Sequence, residues 1–133
     1  MVLVPNAASV ALIDRDRVLL IRRARAPSQN LWTLPGGRRE GEETAEACAR
    51  REVCEELGLN CFALKPLGVK TFTAPNGQWR LAVFATEAFE GEIVSSDEIA
   101  EYRWARLADL PGLPTTDRLN EVVQRAFAIF DRT

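Results

Sequence analysis

The sequence predicts an α/β (α+β) domain, a mixed β-sheet with two substantial helices, one embedded mid-chain and one at the end. Three observations carry this. Short apolar, β-branched runs recur between turn residues, a run rich in Ala, Arg and Glu ends at a glycine near the middle, and the C-terminal stretch repeats apolar residues at three- and four-residue spacing. A chain of 133 residues has room for one hydrophobic core, so a single domain over 1–133 is expected.

Ala7–Ile13 and Val18–Arg23 are strand-like runs separated by the polar Asp14-Arg15-Asp16-Arg17, the pattern of a β-hairpin. Arg22, Arg23 and Arg25 form a basic cluster at its end. Pro27, Ser28 and Asn30 mark a loop, Leu31–Leu34 reads as a short strand, and Pro35-Gly36-Gly37 as a turn. A helix is predicted from Thr44 to Leu57: Thr44 can cap it, Glu46 adds favourable charge in the first turn, and Gly58 is placed as a C-terminal stop. Leu67–Ala74 and Gln78–Ala85 read as strands joined by Pro75-Asn76-Gly77, whose Asn-Gly pair is a strong hairpin signal. Gly91–Ser96 is a loop or short edge segment, Tyr102–Leu107 a further strand, and Leu110–Pro114 a connector. The closing helix spans Asp117–Phe130, with Leu119, Val122, Val123, Ala126, Phe127 and Phe130 on one face.

Charge and composition remove several classes of function. Lys and Arg number 17 against 19 Asp and Glu, so the broad basic surface of a duplex nucleic-acid binder is missing. An anionic substrate then needs local Arg or a cation. Histidine is absent, which excludes Ser-His-Asp triads, His-rich zinc sites and imidazole bases. Cys48, Cys54 and Cys61 are an odd number, two of them inside the predicted mid-chain helix, and read as buried thiols in a reducing cytoplasm rather than a disulfide framework. The start lacks a basic leader, and no apolar run approaches the ~20 residues of a membrane span, so a cytoplasmic protein without membrane partners is expected.

The chemistry-bearing stretch is Leu34–Leu59. On a helix turning ~100° per residue, Glu56 lies ~40° to one side of Glu52 and Glu55 ~60° to the other, so the three carboxylates share one sector. Two such charges ~6 Å apart at an effective dielectric of ~20 repel by ~3 kcal/mol, against only ~0.2–0.5 kcal/mol for an exposed helical pair. A hard cation would relieve that repulsion, and Mg²⁺, which prefers oxygen ligands and is held by a few carboxylates, suits it best. An acidic helix end taken alone is usually a solvated face.

The surrounding register goes further. Gly37 is followed after five residues by Glu43, and after seven more by Arg51-Glu52; then come Val53, any residue, Glu55-Glu56, any residue, Gly58 and Leu59. This run of 23 residues resembles the signature of the Nudix hydrolases at every specified position. The approach LLIRRARAPSQNLWTLPGG, the Trp104 strand and the closing helix also look like that family. The resemblance implies a mixed sheet sandwiched between helices, with the signature forming a loop-helix-loop. It also implies Mg²⁺- or Mn²⁺-dependent hydrolysis of a nucleoside diphosphate linked to another moiety, X. Glu52, Glu55 and Glu56 match the family's metal-binding and catalytic glutamates, and the Gly36 carbonyl a frequent further ligand. Glu43 and Arg51 match the pair that braces the loop against the helix. Some members place the base outside the signature, which makes Glu98 and Glu101, in the loop before the Trp104 strand, candidates.

The identity of X rests on residues outside the signature. Pro75, sixteen residues after Leu59, resembles a downstream proline of ADP-ribose pyrophosphatases, although Pro-Asn-Gly is also what a hairpin wants. Arg22, Arg23 and Arg25 are candidates for a phosphate or the distal ribose, but adjacent Arg22 and Arg23 on a strand face opposite sides, so one of that pair is expected to serve. Trp32, Phe72, Trp79 and Trp104 are stacking partners for a base or members of the core. ADP-ribose or a related nucleotide sugar is the first substrate expected, a nucleoside triphosphate the second. A non-catalytic nucleotide-binding regulator is a third possibility, and a monomer or homodimer is implied.

Overall fold

The computed structural model describes residues 4–26 and 28–131. Met1–Leu3, the start of a hydrophobic stretch that the sequence offers as a strand or a tail, and Pro27 of the predicted loop lie outside them. The elements are β1 (Ala7–Asp14), β2 (Arg17–Arg23), β3 (Trp32–Thr33), β4 (Gly36–Arg38), α1 (Ala45–Leu57), β5 (Asn60–Phe62), β6 (Lys65–Ala74), β7 (Gly77–Thr86), β8 (Ala88–Glu90), β9 (Ile99–Arg106), a 3-10 helix (Leu107–Gly112) and α2 (Leu119–Ile129).

β1 and β2 form the expected hairpin but pair only at its closed end, Ile13 with Val18 and Asp14 with Arg17. Beyond that the two strands separate, and the segment Trp32–Arg38 fills the mouth. Its first part, β3, pairs with β2, and its second, β4, pairs with β1 through Ala7–Arg38, Ala8–Gly37 and Ser9–Gly36. The other edge of β1 runs parallel to β7, and β6 continues the sheet beyond it, while β9 covers the far edge of β2. A separate two-stranded sheet joins β5 to β8.

The sheet is buried on both faces. Ala8, Val10 and Leu12 of β1, with Leu19 and Ile21 of β2, pack under Cys48, Ala49, Val53 and Leu57 of α1. The alternate residues Ala11, Ile13, Val18 and Leu20 pack under Leu119, Val123 and Ala126 of α2. This double burial explains why β1 reads as a nearly continuous apolar run. Fully burying one such Leu or Val contributes ~1.5–3 kcal/mol.

Most predicted elements stand within three residues of their expected ends, while the short strands β5 and β8 were not expected and other features differ. The glycine turn contains a true strand, β4, because the splayed hairpin offers β1's free edge to it. β9 begins at Ile99, three residues early, so Glu101 lies inside a strand rather than in the loop before it. Cys54 is exposed, whereas Cys48 and Cys61 are the buried thiols expected. Among the described residues no helix is long and apolar enough to cross a membrane.

Candidate active site

α1 is held at both ends by the devices its sequence carries. Thr44 accepts the Ala47 N–H at 3.1 Å at the N-terminus. At the other end Gly58 adopts φ 71°, a left-handed conformation natural to glycine, and its N–H reaches the Cys54 carbonyl. The helix therefore stops immediately after its carboxylates and lies across the wedge that fills the open hairpin.

Glu52 and Glu56 descend from α1 onto the two glycines of the wedge. Glu56 is 2% exposed and accepts the Gly36 N–H at 2.7 Å. Burial pushes its carboxyl up to about 8, against the stabilising Gly36 N–H, and the neighbouring Glu52 adds to the rise. Glu52, with 13% of its side chain exposed, lies directly over Gly37: a Cβ there would stand 2.5 Å from the Glu52 carboxyl carbon. Its carboxyl is also raised by burial, with Arg51 opposing.

Arg51 ties the loop to the helix. Its Nε and Nη2 fork onto Glu43 at 2.7–3.2 Å, and Nη2 also donates to the Arg38 carbonyl at 2.8 Å. Its Nη1 reaches Glu52 at 2.9 Å and Glu55 at 3.1 Å. The guanidinium holds the Glu43 carboxyl down to about 2, helped by the Glu40 N–H. Glu55, with 55% of its side chain exposed, is paired with Arg51 at 3.1 Å.

The residues expected outside the helix divide between the two faces of the sheet. Glu98 and Arg23 act electrostatically on Glu56, Glu98 raising and Arg23 lowering its affinity for a proton. Glu98 is fixed from behind: the Ala24 N–H donates to its carbonyl at 3.0 Å, and Arg25 pairs with Asp97 at 3.2 Å. Glu101, the other base suggested by sequence, is not brought to the site. It is paired in register with Arg22 and salt-bridged to it at 3.2 Å, and Arg22 continues the row of Val18 and Leu20 that faces α2. A register shift between Arg22 and Arg23 then sets Ile99 opposite Arg23, and Ile99 joins the α1-side core. Only Arg23 of the adjacent pair is therefore on the carboxylate side, and Arg22 is engaged by Glu101 and Asn30.

Trp79 and Pro75 are also apart from the carboxylates. Trp79 continues the α2-facing row of Leu81, Val83 and Ala85; it stacks on Phe72 at 6.5 Å between ring centres, under the Arg38 guanidinium. Pro75 is in the exposed turn of the β6–β7 hairpin, where Asn76 accepts the Trp79 indole N–H. Trp32 is buried, and Trp104 stacks on Phe89 against the α1-side core.

Sequence reasoning missed three contributors. Cys48 directs its thiol at the Gly37 carbonyl, 3.6 Å away, and its burial pushes the thiol up to about 11. Arg38 supplies a backbone carbonyl to Arg51, and Glu40 both donates its N–H to Glu43 and approaches Arg51 at 3.6 Å. The available signal was helical spacing: Cys48 lies three and four residues before Arg51 and Glu52.

The Glu52 and Glu56 carboxylates over the glycines offer oxygen donors, the chemistry a hard cation takes. Among the described residues, however, no three Cys, Asp or Glu side chains are grouped so as to hold a metal ion, and Glu55 is engaged by Arg51.

A NUDIX domain model matches residues 3–126. The chain belongs to the Nudix hydrolase family. It is 34% identical over 112 residues to the ADP-ribose pyrophosphatase of Methanocaldococcus jannaschii, covering 82% of this chain and 66% of that protein. It is 33% identical over 116 residues to the 8-oxo-dGDP phosphatase NUDT18 of Homo sapiens, covering 86% of this chain and 35% of that one. The chain thus spans about two thirds and about one third of these Nudix relatives. Among solved structures, the MutT NUDIX hydrolase from Burkholderia pseudomallei superposes with a TM-score of 0.83 at 30% identity, over 93% of this chain and 98% of that one.

Proposed function

We propose that this protein hydrolyses the pyrophosphate bond of a small nucleoside diphosphate derivative, with ADP-ribose or a related nucleotide sugar as the first substrate class. The observation that carries the reading is the convergence of Glu52 and Glu56 on Gly36 and Gly37, braced by Arg51 and Glu43. Glu52, Glu55, Glu56 and the Gly36 carbonyl would hold Mg²⁺, with Mn²⁺ as a substitute. When bound, the cation supplies charge neutralisation for the diphosphate and acidifies water.

The remaining roles fall to the chain itself. Arg23, on the carboxylate side, orients a phosphate oxygen through its planar fork. Glu98, anchored by the Ala24 N–H and flanked by the Arg25–Asp97 pair, is the base that takes a proton from the attacking water. Glu56, withdrawn from water and bound to the Gly36 N–H, keeps the centre rigid. Three free thiols suit a reducing cytoplasm.

The ADP-ribose preference is supported by the relative from Methanocaldococcus jannaschii that is named an ADP-ribose pyrophosphatase. The relative named as an 8-oxo-dGDP phosphatase favours the second reading, a nucleotide-pool enzyme acting on a nucleoside di- or triphosphate. Incubating purified protein with Mg²⁺ and a panel of nucleotide sugars, dinucleotides and triphosphates tests both. Highest kcat/KM on ADP-ribose with release of AMP supports the first. Preference for a triphosphate selects the second, and no product from any of them rejects catalysis.

A further inference from the structure

Arg51 divides its guanidinium between two tasks. The Nε/Nη2 edge grips Glu43 and the Arg38 carbonyl, which fixes the loop to α1. The remaining nitrogen, Nη1, stands 2.9 Å from Glu52 Oε1, 3.1 Å from Glu55 Oε2 and 3.6 Å from Glu40 Oε1. One positive charge thus occupies the place where the acidic side chains of α1 and its loop would otherwise repel one another.

We propose that Arg51 Nη1 is an internal counter-ion that a divalent cation replaces. Glu52 and Glu55 exchange the guanidinium for the metal, while the Nε/Nη2 edge keeps its hold on Glu43. The proposal rests on the reading of Glu52, Glu55 and Glu56 as metal-holding residues. Its basis is the contrast between sector and contact. The helix places all three carboxylates in one sector, yet Glu55 is turned to Nη1, which Glu52 also touches, while Glu56 is bound to the Gly36 N–H. A guanidinium cannot shed its proton, so it cannot be neutralised in place. With its other edge held by Glu43, the carboxylates are the parts that turn. A monovalent ion brings no more charge than Nη1 already supplies, whereas a divalent ion doubles it. Arg51 is therefore a positioning residue that biases the site towards divalent over monovalent cations.

The test is ¹⁵N–¹H NMR of the full chain titrated with MgCl₂, observing the Arg51 side chain alongside that of Arg50, which pairs with Glu46 on the same helix. The expected result is that Arg51 Nη signals move with the same midpoint as the Glu52 and Glu55 amides, while Arg51 Nε and the Arg50 side chain stay in place. Movement of the α1 amides without Arg51 Nη overturns the counter-ion and leaves the metal reading standing. Absence of any shift in α1 at saturating MgCl₂ overturns both. A second measurement separates a counter-ion from a brace: Arg51→Gln loses more melting temperature in chelator than in saturating MgCl₂, equivalent to Mg²⁺ binding at least about threefold tighter than in wild type. Equal losses in the two conditions contradict the proposal.

Discussion

At Glu56 a carboxyl group has left water with one backbone N–H, from Gly36, as its compensation. Its folded-state pKa of about 8 lies above the ordinary 4.5, so the folded protein binds this proton more tightly than the unfolded chain does. The associated stability is complete below pH 4.5 and is lost as pH rises towards about 8, at up to ~1.4 kcal/mol per pH unit. Glu43 has the opposite sign: its stability is present above pH 4.5 and lost as pH falls towards about 2. In chelator, the melting temperature is therefore expected to fall between about pH 5 and pH 8, and Glu56→Gln to flatten that fall. Calorimetry across this range checks it; an unchanged slope in the variant contradicts the assignment. A second prediction separates the two acids that sequence offered together. Glu98→Gln is expected to lower kcat by ~10²-fold or more, and Glu101→Gln to change it by less than about threefold. Sequence placed both near Trp104, but Glu101 pairs with Arg22 inside the strand while Glu98 stays in the loop that acts on Glu56, and the start of the strand is a boundary that residue types alone do not fix.

At the scale of elements, the site depends on a wedge. The segment Trp32–Arg38 enters the open mouth of the β1–β2 hairpin, which sets Gly36 and Gly37 beneath α1. The two helices and the hairpins were legible because each is announced locally: Thr44 and Gly58 bracket α1, Pro75-Asn76-Gly77 turns β6 into β7, and the α2 face repeats at helical spacing. β4 was not legible, because three residues with two glycines carry no strand preference, and its partner is distant in sequence. β5 and β8 escaped for the same reason of length. The wedge also makes a prediction. In Gly37→Ala the new methyl group would stand 2.5 Å from the Glu52 carboxyl carbon, so the Glu52 carboxylate must swing out of its seat. The expected outcome is a fall in kcat of ~10–10²-fold with the fold retained, measured by steady-state kinetics beside circular dichroism. Full activity would show that Glu52 does not need this seat.

Across the whole molecule, two apolar cores clamp one sheet, and the acidic centre sits on the α1 side, where the wedge meets the helix. The positions fixed by the signature were readable because their order along the chain is their order in space: loop, brace, helix. Those meant to recognise X were readable only as residue types. Arg22 and Trp79 carry suitable chemistry but lie on the α2 face, since one residue of strand register reverses a side chain. The central claim is that the carboxylates over Gly36 and Gly37 perform pyrophosphate hydrolysis. The most direct test is kcat with Mg²⁺ on the best substrate of the panel, for wild type, Glu52→Gln and Glu56→Gln, with products identified. Turnover is expected in wild type, with a loss of at least ~10²-fold in each folded variant. Near-wild-type rates in both variants would place the chemistry elsewhere.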